Sequence, residues 1–508
     1  MDELIQRSIA RAAALLEEAN RGQTRLERLE STRLARMMED PSGKSFTLDM
    51  VDRVFRSHQK NLQAGRLRQV VHRYGVPRYL GLAERVLLRT GATASRVAPS
   101  IVMSAVSRQL RRDSSRVVLP CEAGPLTDYL AGRKAENIRV NVNLLGEAIL
   151  GEEEAAHRLE SIVQHLSRSD INYISVKISA IFSQINLVNW EGTLHAIRER
   201  LRTLYRVALR GGKFVNLDME EYRDLALTME AFQRTLDEPE FKQLRAGIVL
   251  QAYLPDSFPA LQNLTAWARD RVRNGGAAIK VRLVKGANLA METVEAELHG
   301  WNQAPFASKA ETDANFRRML EFASRPENVH AVNLGVASHN LFDVALALEL
   351  REANGIGSQV EIEMLEGMAS HQARAVHRSA GALLIYAPLV HEKDFNSAMA
   401  YLVRRLDENT TPGNFLRDLF GLQPRSPAWQ RQEQAFIEGW EHRNHIATRS
   451  RRAQLPEVVP GKFYNAPDTD WTQASHRASL HIALDHYTRS VTPAAGNLHD
   501  VLQAAASA

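Results

Sequence analysis

Side chains able to bind anions, hold protons or steady a developing charge recur at one kind of place in this chain, the ends of short β-branched runs. Lys177 stands in ISVKIS, Asp218 and Glu220 in NLDME, Gln251 in VLQAY, Arg282 and Lys285 in VRLVKGA, and Ser338, His339 and Asn340 follow GVA. A single polar residue at a strand end more often anchors a loop than reacts. Recurrence on five runs reverses that reading, because Lys, Asp, Gln and Arg facing one interior are costly to bury without each other or a polar ligand. A second feature is AYLVRRLDEN, where Tyr401, Arg404, Arg405 and Glu408 fall at i, i+3, i+4 and i+7 on one helical face. Two guanidiniums and a phenol on a rigid face suit a small carboxylate; the plainer alternative is a solvated helix with a surface Arg–Glu pair. The glycine of VKGA serves either a bend at a strand's end or close approach of backbone to a phosphate. His371 with His377, and His442 with His445, lack metal-site spacing and carboxylate company, so no metal is expected.

These residues need a scaffold, and the runs supply it. Counted in order they lie at 137–145, 173–180, 213–220, 246–253, 278–287, 331–340, 359–368 and 382–390, separated by amphipathic stretches such as GTLHAIRERLRTLYRVALR. Glycines at Gly211-Gly212, Gly275-Gly276 and Gly355 with Gly357 close helices just before the next run. Eight strands alternating with helices predict an α/β chain of (β/α)8 TIM-like barrel form. The open doubly wound sheet is the rival, but no GxGxxG or GxxxxGK[ST] follows the first strand. In such a barrel the site is built at the carboxyl ends of the strands, where the singled-out residues fall. Residues 1–130 read as an α-helical arm and cap region, 131–425 as the barrel and 426–508 as a polar helical and linker tail.

Composition bounds the partners. At 508 residues, with 44% hydrophobic and 24% charged residues, the chain has the make-up of a folded globular protein. A net charge of +5 over that length is no electrostatic footprint for nucleic acid. RQLRRDSSR and ATRSRRAQ read as solvated faces, with anionic lipid or phosphate as the alternative. The single cysteine, Cys121, allows no internal disulfide and no Cys cluster, which points to a reducing compartment. The amino terminus reads as a helix, not a signal peptide, and no run of apolar residues is long enough to span a bilayer.

Taken together and in order, ISVKIS, NLDMEE, VLQAY, VRLVKGA, ASHN, IYAP and YLVRRLDEN resemble the proline dehydrogenase domain of bacterial proline utilization A proteins. The likeness runs from about 135 to 415, with helical segments before it that also look like that family's. It implies a distorted, flavin-binding barrel that holds FAD, oxidises L-proline to Δ1-pyrroline-5-carboxylate by hydride transfer to flavin N5, and passes electrons to a membrane quinone. By resemblance Asp218 and Arg282 are catalytic, with Arg282 beside N5. Met219, Gln251, Val284, Lys285, Gly286 and Ala287 match flavin-contacting segments, and Ser338 and His339 fall near the cofactor phosphates. Lys177, Tyr386, Tyr401, Arg404, Arg405 and Glu408 match the proline pocket, and Leu365 its apolar wall. Anchoring the substrate carboxylate on Arg404 and Arg405 would orient proline for transfer, and Arg282 would stabilise charge on the reduced ring.

The chain departs from the family pattern in reading VKGANL, so Asn288 stands where relatives place a pocket tyrosine, and in a longer stretch from Tyr386 to Tyr401. Both bear on substrate tightness and ring-size preference. FYNAPDTDWTQASHRA looks like the linker into an aldehyde dehydrogenase module, which predicts either the amino-terminal part of a longer protein or a separate dehydrogenase partner. Nothing before the barrel reads as a ribbon-helix-helix, so no nucleic-acid partner is expected. The expected location is cytoplasmic, with peripheral contact at the inner face of the cell membrane. Two alternatives stand beside this: oxidation of another cyclic amine such as hydroxyproline, and a non-catalytic regulatory protein on the same barrel.

Overall fold

The structure, a computed structural model, describes residues 3–38, 40–55, 57, 59–114, 117–146, 149, 151–392, 395, 398, 401, 415–419, 422–454, 463 and 465–490. Each of the eight β-branched runs forms a strand, and a two-residue strand precedes them. In chain order they are β1 (Leu119–Pro120), β2 (Ile138–Leu144), β3 (Tyr173–Val176), β4 (Phe214–Leu217), β5 (Gly247–Gln251), β6 (Ile279–Val284), β7 (Val332–Ala337), β8 (Val360–Leu365) and β9 (Leu383–Val390). β2 to β9 pair in sequence, all parallel, and β9 pairs back onto β2 through Ile138↔Leu383 to Leu144↔Leu389, closing an eight-stranded ring. β1 adds to the outside of β9 through Leu119↔Leu389. Two residues carry no period, which is why the sequence does not show β1.

Parallel strands need crossovers, and the amphipathic stretches supply them. The helix Trp190–Gly211 buries Leu194, Ile197, Leu201, Leu204, Tyr205 and Ala208, a stripe at three- and four-residue spacing facing the barrel. Each such leucine removed from water is worth about 1.5–3 kcal/mol. This helix ends on Gly212 in the left-handed conformation, the terminator expected from the sequence.

The helical region before the barrel splits in two. The first helix, Glu3–Arg21, sinks Ile5, Ala12, Leu15 and Leu16 into the barrel's own apolar cluster. Arg7 and Arg11 reach Glu349 at 3.0 and 2.7 Å, which fixes its register on the helix Leu341–Ala353. Residues 41–114 build a smaller second cluster around Phe46, Val54, Leu67, Val70 and Met103. That cluster includes Val390, Phe395 and Ala398, and Tyr401 is packed against it.

Candidate active site

In a barrel of this type, bulky branched side chains usually fill the interior. Here much of that interior is polar. Asn141 and Asn143 of β2, Ser175 of β3, Asn216 of β4, Lys280 and Arg282 of β6, Glu361 and Glu363 of β8 and Tyr386 of β9 bond to one another or to Asp218 across strands that are not all neighbours, and the Tyr173 ring of β3 lies against the Lys280 and Arg282 cations. Burying so many polar groups is tolerable because most of their polar atoms pair with one another, while Asn141 Oδ1, Asn216 Oδ1, the Tyr173 hydroxyl and Arg282 Nη2 have no partner among the described residues.

Arg282 is the hub. It is 3% exposed. Its Nη1 donates to Asp218 Oδ1 at 3.0 Å and Ser175 Oγ at 3.2 Å, and its Nε donates to Glu363. Its guanidinium lies 5.4 Å from the Tyr386 ring centroid, and Nη2 has no partner among the described residues. Burial works against its charge, but Glu363, Tyr173 and Asp218 outweigh that and hold its pKa above the usual arginine value. Burial likewise favours protonation of Glu363, yet Arg282 and Lys280 keep its carboxyl below the ordinary range. Tyr386 donates from its hydroxyl to Asp218 Oδ2 at 2.8 Å. Burial, then the Asp218 charge, pushes that phenol well above its usual pKa, so it stays a donor.

The charges sit at period two: Lys280 and Arg282 on β6, Glu361 and Glu363 on β8. β7 lies between them, and its Gly335 is what lets them meet. A Cβ there would lie 2.0 Å from Glu363 Oε1 and 2.7 Å from Lys280 Cε. Lys280 Nζ consequently reaches Glu361 at 2.7 Å and Glu363 at 2.5 Å. Lys280, Glu361, Glu363, Tyr173 and Gly335 were not singled out by the sequence reading, although KVR and EIE in otherwise apolar strands carry the signal.

The other expected residues divide into three groups. Lys177 caps the turn after β3 and pairs with Glu220. Gln251, 4% exposed, donates to the carbonyls of Met219 and Glu220 at 3.3 Å each, while its Oε1 is buried without a partner among the described residues. Gly286 adopts φ 117° with the Tyr253 ring 2.5 Å from where a Cβ would sit, so only glycine fits the bend after β6. Leu365, the last residue of β8, pairs with Tyr386 in the middle of β9. These positions converge on the mouth with Asp218 and Arg282.

A second group holds the rim. Lys285 reaches Asp313 at 2.6 Å and Asp343 at 2.7 Å, and Arg317 meets Asp343 at 3.2 Å. Burial lowers the Lys285 pKa less than Asp313 and Asp343 raise it. Ser338 Oγ accepts from the Asn340 amide at 3.1 Å, and His339 Nε2 accepts from the Leu365 amide at 3.0 Å, so both brace loops beside the mouth. Val284 is half-buried and Ala287 exposed. Asn288 is buried, and its carbonyl accepts from Glu292 N at 3.0 Å at the start of the helix Leu289–His299.

The third group is the helix face. Tyr401 packs against the second apolar cluster. Arg404, Arg405 and Glu408 lie outside the described residues.

Two expected outcomes follow from this geometry. Tyr386→Phe leaves an Asp218 oxygen without its donor and should lower stability by about 1–3 kcal/mol, read from the urea midpoint. Asp224, after β4, is pushed up to about 7, chiefly by burial; Arg223 pulls the other way, and Glu221, Glu220 and Glu292 add to the rise. Its unfolded value is near about 3.9, so between those values the folded state holds the extra proton. This group's contribution is therefore complete below about pH 4 and is lost as pH rises towards about 7. Asp224→Asn should gain on the parent by a few kcal/mol between about pH 5 and pH 8, in denaturation curves taken across that range. A constant difference across pH would contradict it.

A closed parallel barrel with a buried, charge-paired arginine in its interior, and a buried donor and acceptor left over among the described residues, sets the chain in the (β/α)8 class. Comparison with known proteins narrows the class: the proline dehydrogenase family model matches residues 127–418, and the chain belongs to that family of oxidoreductases. The chain is similar to the bifunctional protein PutA of Klebsiella aerogenes, 28% identical over 308 residues, covering 56% of this chain and 22% of the relative. It is similar to the proline dehydrogenase of Deinococcus radiodurans, 26% identical over 286 residues, covering 55% of this chain and 80% of that protein. The solved structure of proline utilization A (PutA) from Corynebacterium freiburgense is 43% identical with a TM-score of 0.67, covering 79% of this chain and 38% of that one. The chain thus spans less than half the length of these PutA relatives.

Proposed function

We propose that this chain oxidises L-proline to Δ1-pyrroline-5-carboxylate with FAD as cofactor and a membrane quinone as the final acceptor. The observation that carries the reading is Arg282, buried and fixed by Asp218, Ser175 and Glu363, with Nη2 left without a partner among the described residues. The residues present fit a flavin: Arg282 Nη2 and Gln251 Oε1 are a buried donor and a buried acceptor awaiting partners, suited to a heteroaromatic edge. Arg282, Gln251, Met219, Val284, Lys285, Gly286, Ala287, Ser338 and His339 would hold it. When bound, FAD supplies the hydride acceptor.

The chain's own residues bind and orient. Arg404 and Arg405 would take the proline carboxylate, with Glu408 fixing a guanidinium fork and Tyr386, Tyr401 and Leu365 shaping the ring pocket. Tyr386 keeps its proton on the hydroxyl and holds Asp218 in place. Lys177, paired with Glu220, supplies the polar environment in which the substrate amine sheds its proton. Arg282 offers fixed positive charge where negative charge develops. The relatives' names, proline dehydrogenase and PutA, support the substrate. A pyrroline-5-carboxylate or aldehyde dehydrogenase, fused or separate, would take the product, and meeting the quinone implies contact at a membrane surface.

Asn288, buried just past VKGA, favours a second reading in which a hydroxylated ring is the substrate. Steady-state rates with L-proline, hydroxyproline and pipecolate, after reconstitution with FAD and with a soluble quinone, separate the two. Preference for L-proline is expected. Preference for hydroxyproline would install the second reading, and inactivity with all three would overturn both.

A further inference from the structure

The polar tail past the family-matched region folds back on the mouth. Residues 446–454 and 465–473 lie against the loops that follow β4, β5 and β6, although the family match ends at 418. Arg451 donates to the Pro305 carbonyl at 2.6 Å, and Asn302 donates to the Gln454 carbonyl at 3.0 Å. Trp301 Nε1 donates to the Asp468 carbonyl at 2.6 Å. At the centre is Arg452, its side chain 2% exposed, paired with the buried Asp470 at 3.4 Å. Its guanidinium lies 4.4 Å from the Trp301 ring centroid and 5.5 Å from that of Tyr222.

Tyr222 is the contact that matters for the site. Its amide donates to Glu292 Oε1 at 2.7 Å, its hydroxyl shares a hydrogen bond with Ser450 Oγ at 2.9 Å, and it donates to Asp256 at 3.3 Å. It stands two residues after Glu220, which pairs with Lys177. Glu220 and Met219 also present the carbonyls to which Gln251 donates. A loop of that length has no regular structure of its own between β4 and the turn at Tyr222–Asp224, so its shape is set by what grips its two ends. One end is β4, where the Asp218 amide donates to the Val176 carbonyl at 2.9 Å. The other is Tyr222, whose backbone is held by Glu292 and whose ring and hydroxyl are held by Arg452 and Ser450 of the tail together with Asp256.

We propose that Arg452 is a positioning residue: acting through Tyr222, the returning tail sets the loop Asp218–Tyr222 and thereby the places of Glu220, Lys177 and Gln251 at the mouth. A buried arginine plane against two rings, closed by an aspartate, is a rigid clamp, because removing one member leaves the other charge buried and unpaired. The proposal rests on the proline reading only for its kinetic arm.

The test is amide hydrogen exchange of the full chain carrying Arg452→Met, with Asp470→Asn as a second variant should the first fail to fold. Exchange at residues 218–224 is expected to accelerate about tenfold or more while β5 to β7 keep the parent's rates. Unchanged rates at 218–224, or an equal acceleration throughout the barrel, would overturn the proposal. In steady-state kinetics the same variant should raise the KM for L-proline about tenfold with kcat within about threefold. Local acceleration with an unaltered KM would overturn the positioning role and reduce the tail to a structural one. If the parent does not oxidise proline, the functional reading fails by itself and the exchange arm still decides whether the clamp holds the loop.

Discussion

Arg282→Met is expected to be the most damaging single change at the mouth, lowering kcat for L-proline by about 10²–10³-fold and stability by about 3–5 kcal/mol. The two losses have different origins. Stability falls because Asp218 and Glu363 are left as carboxylates in a buried site, each having lost a guanidinium partner. Catalysis falls because the fixed positive charge is gone. A double variant, Arg282→Met with Glu363→Gln, separates them: it should recover much of the denaturation midpoint by removing one stranded charge, and none of the kcat. Recovery of both would mean that Arg282 serves the fold alone.

The second large effect is expected at a residue with no chemistry of its own. Gly335→Ala places a methyl group 2.0 Å from Glu363 Oε1 and 2.7 Å from Lys280 Cε. Overpacking of a closed interior typically costs about 1–3 kcal/mol, and displacing Glu363 from Arg282 and Lys280 adds a share of the buried-pair penalty. The variant should unfold at markedly lower guanidinium concentration, with proline kinetics impaired through the displaced Arg282 fork. A stability within about 0.5 kcal/mol of the parent, the range of neutral surface changes, would show that the β6–β8 charge pairing does not depend on that missing side chain.

Both effects run through Glu363, a partner the sequence hid, although Arg282 itself stands out in it. The barrel was legible because each strand is a short β-branched run bounded by helix-closing signals, and local patterns of that kind survive without tertiary knowledge. Polar residues at strand ends were legible for the same reason: Lys177, Asp218, Gln251 and Arg282 each break an apolar run. Lys280 with Glu363 was not. Their pairing spans β7 and appears only once the ring has closed and Gly335 is seen to leave the gap. The tail was misread in the other direction. SRRAQLPEVVPG has the composition of a solvated linker, yet Arg452 is buried by Tyr222 and Trp301, partners more than a hundred residues away in sequence. Charged residues are buried by partners, and composition does not record who the partner is.

The measurement that tests the central claim most directly is the absorbance spectrum of the purified full chain, reconstituted with FAD, before and after anaerobic addition of L-proline. The account predicts a flavin spectrum that bleaches on addition of L-proline and does so far more slowly in Arg282→Met. A protein that binds no FAD, or a bound flavin that L-proline leaves oxidised, would contradict it.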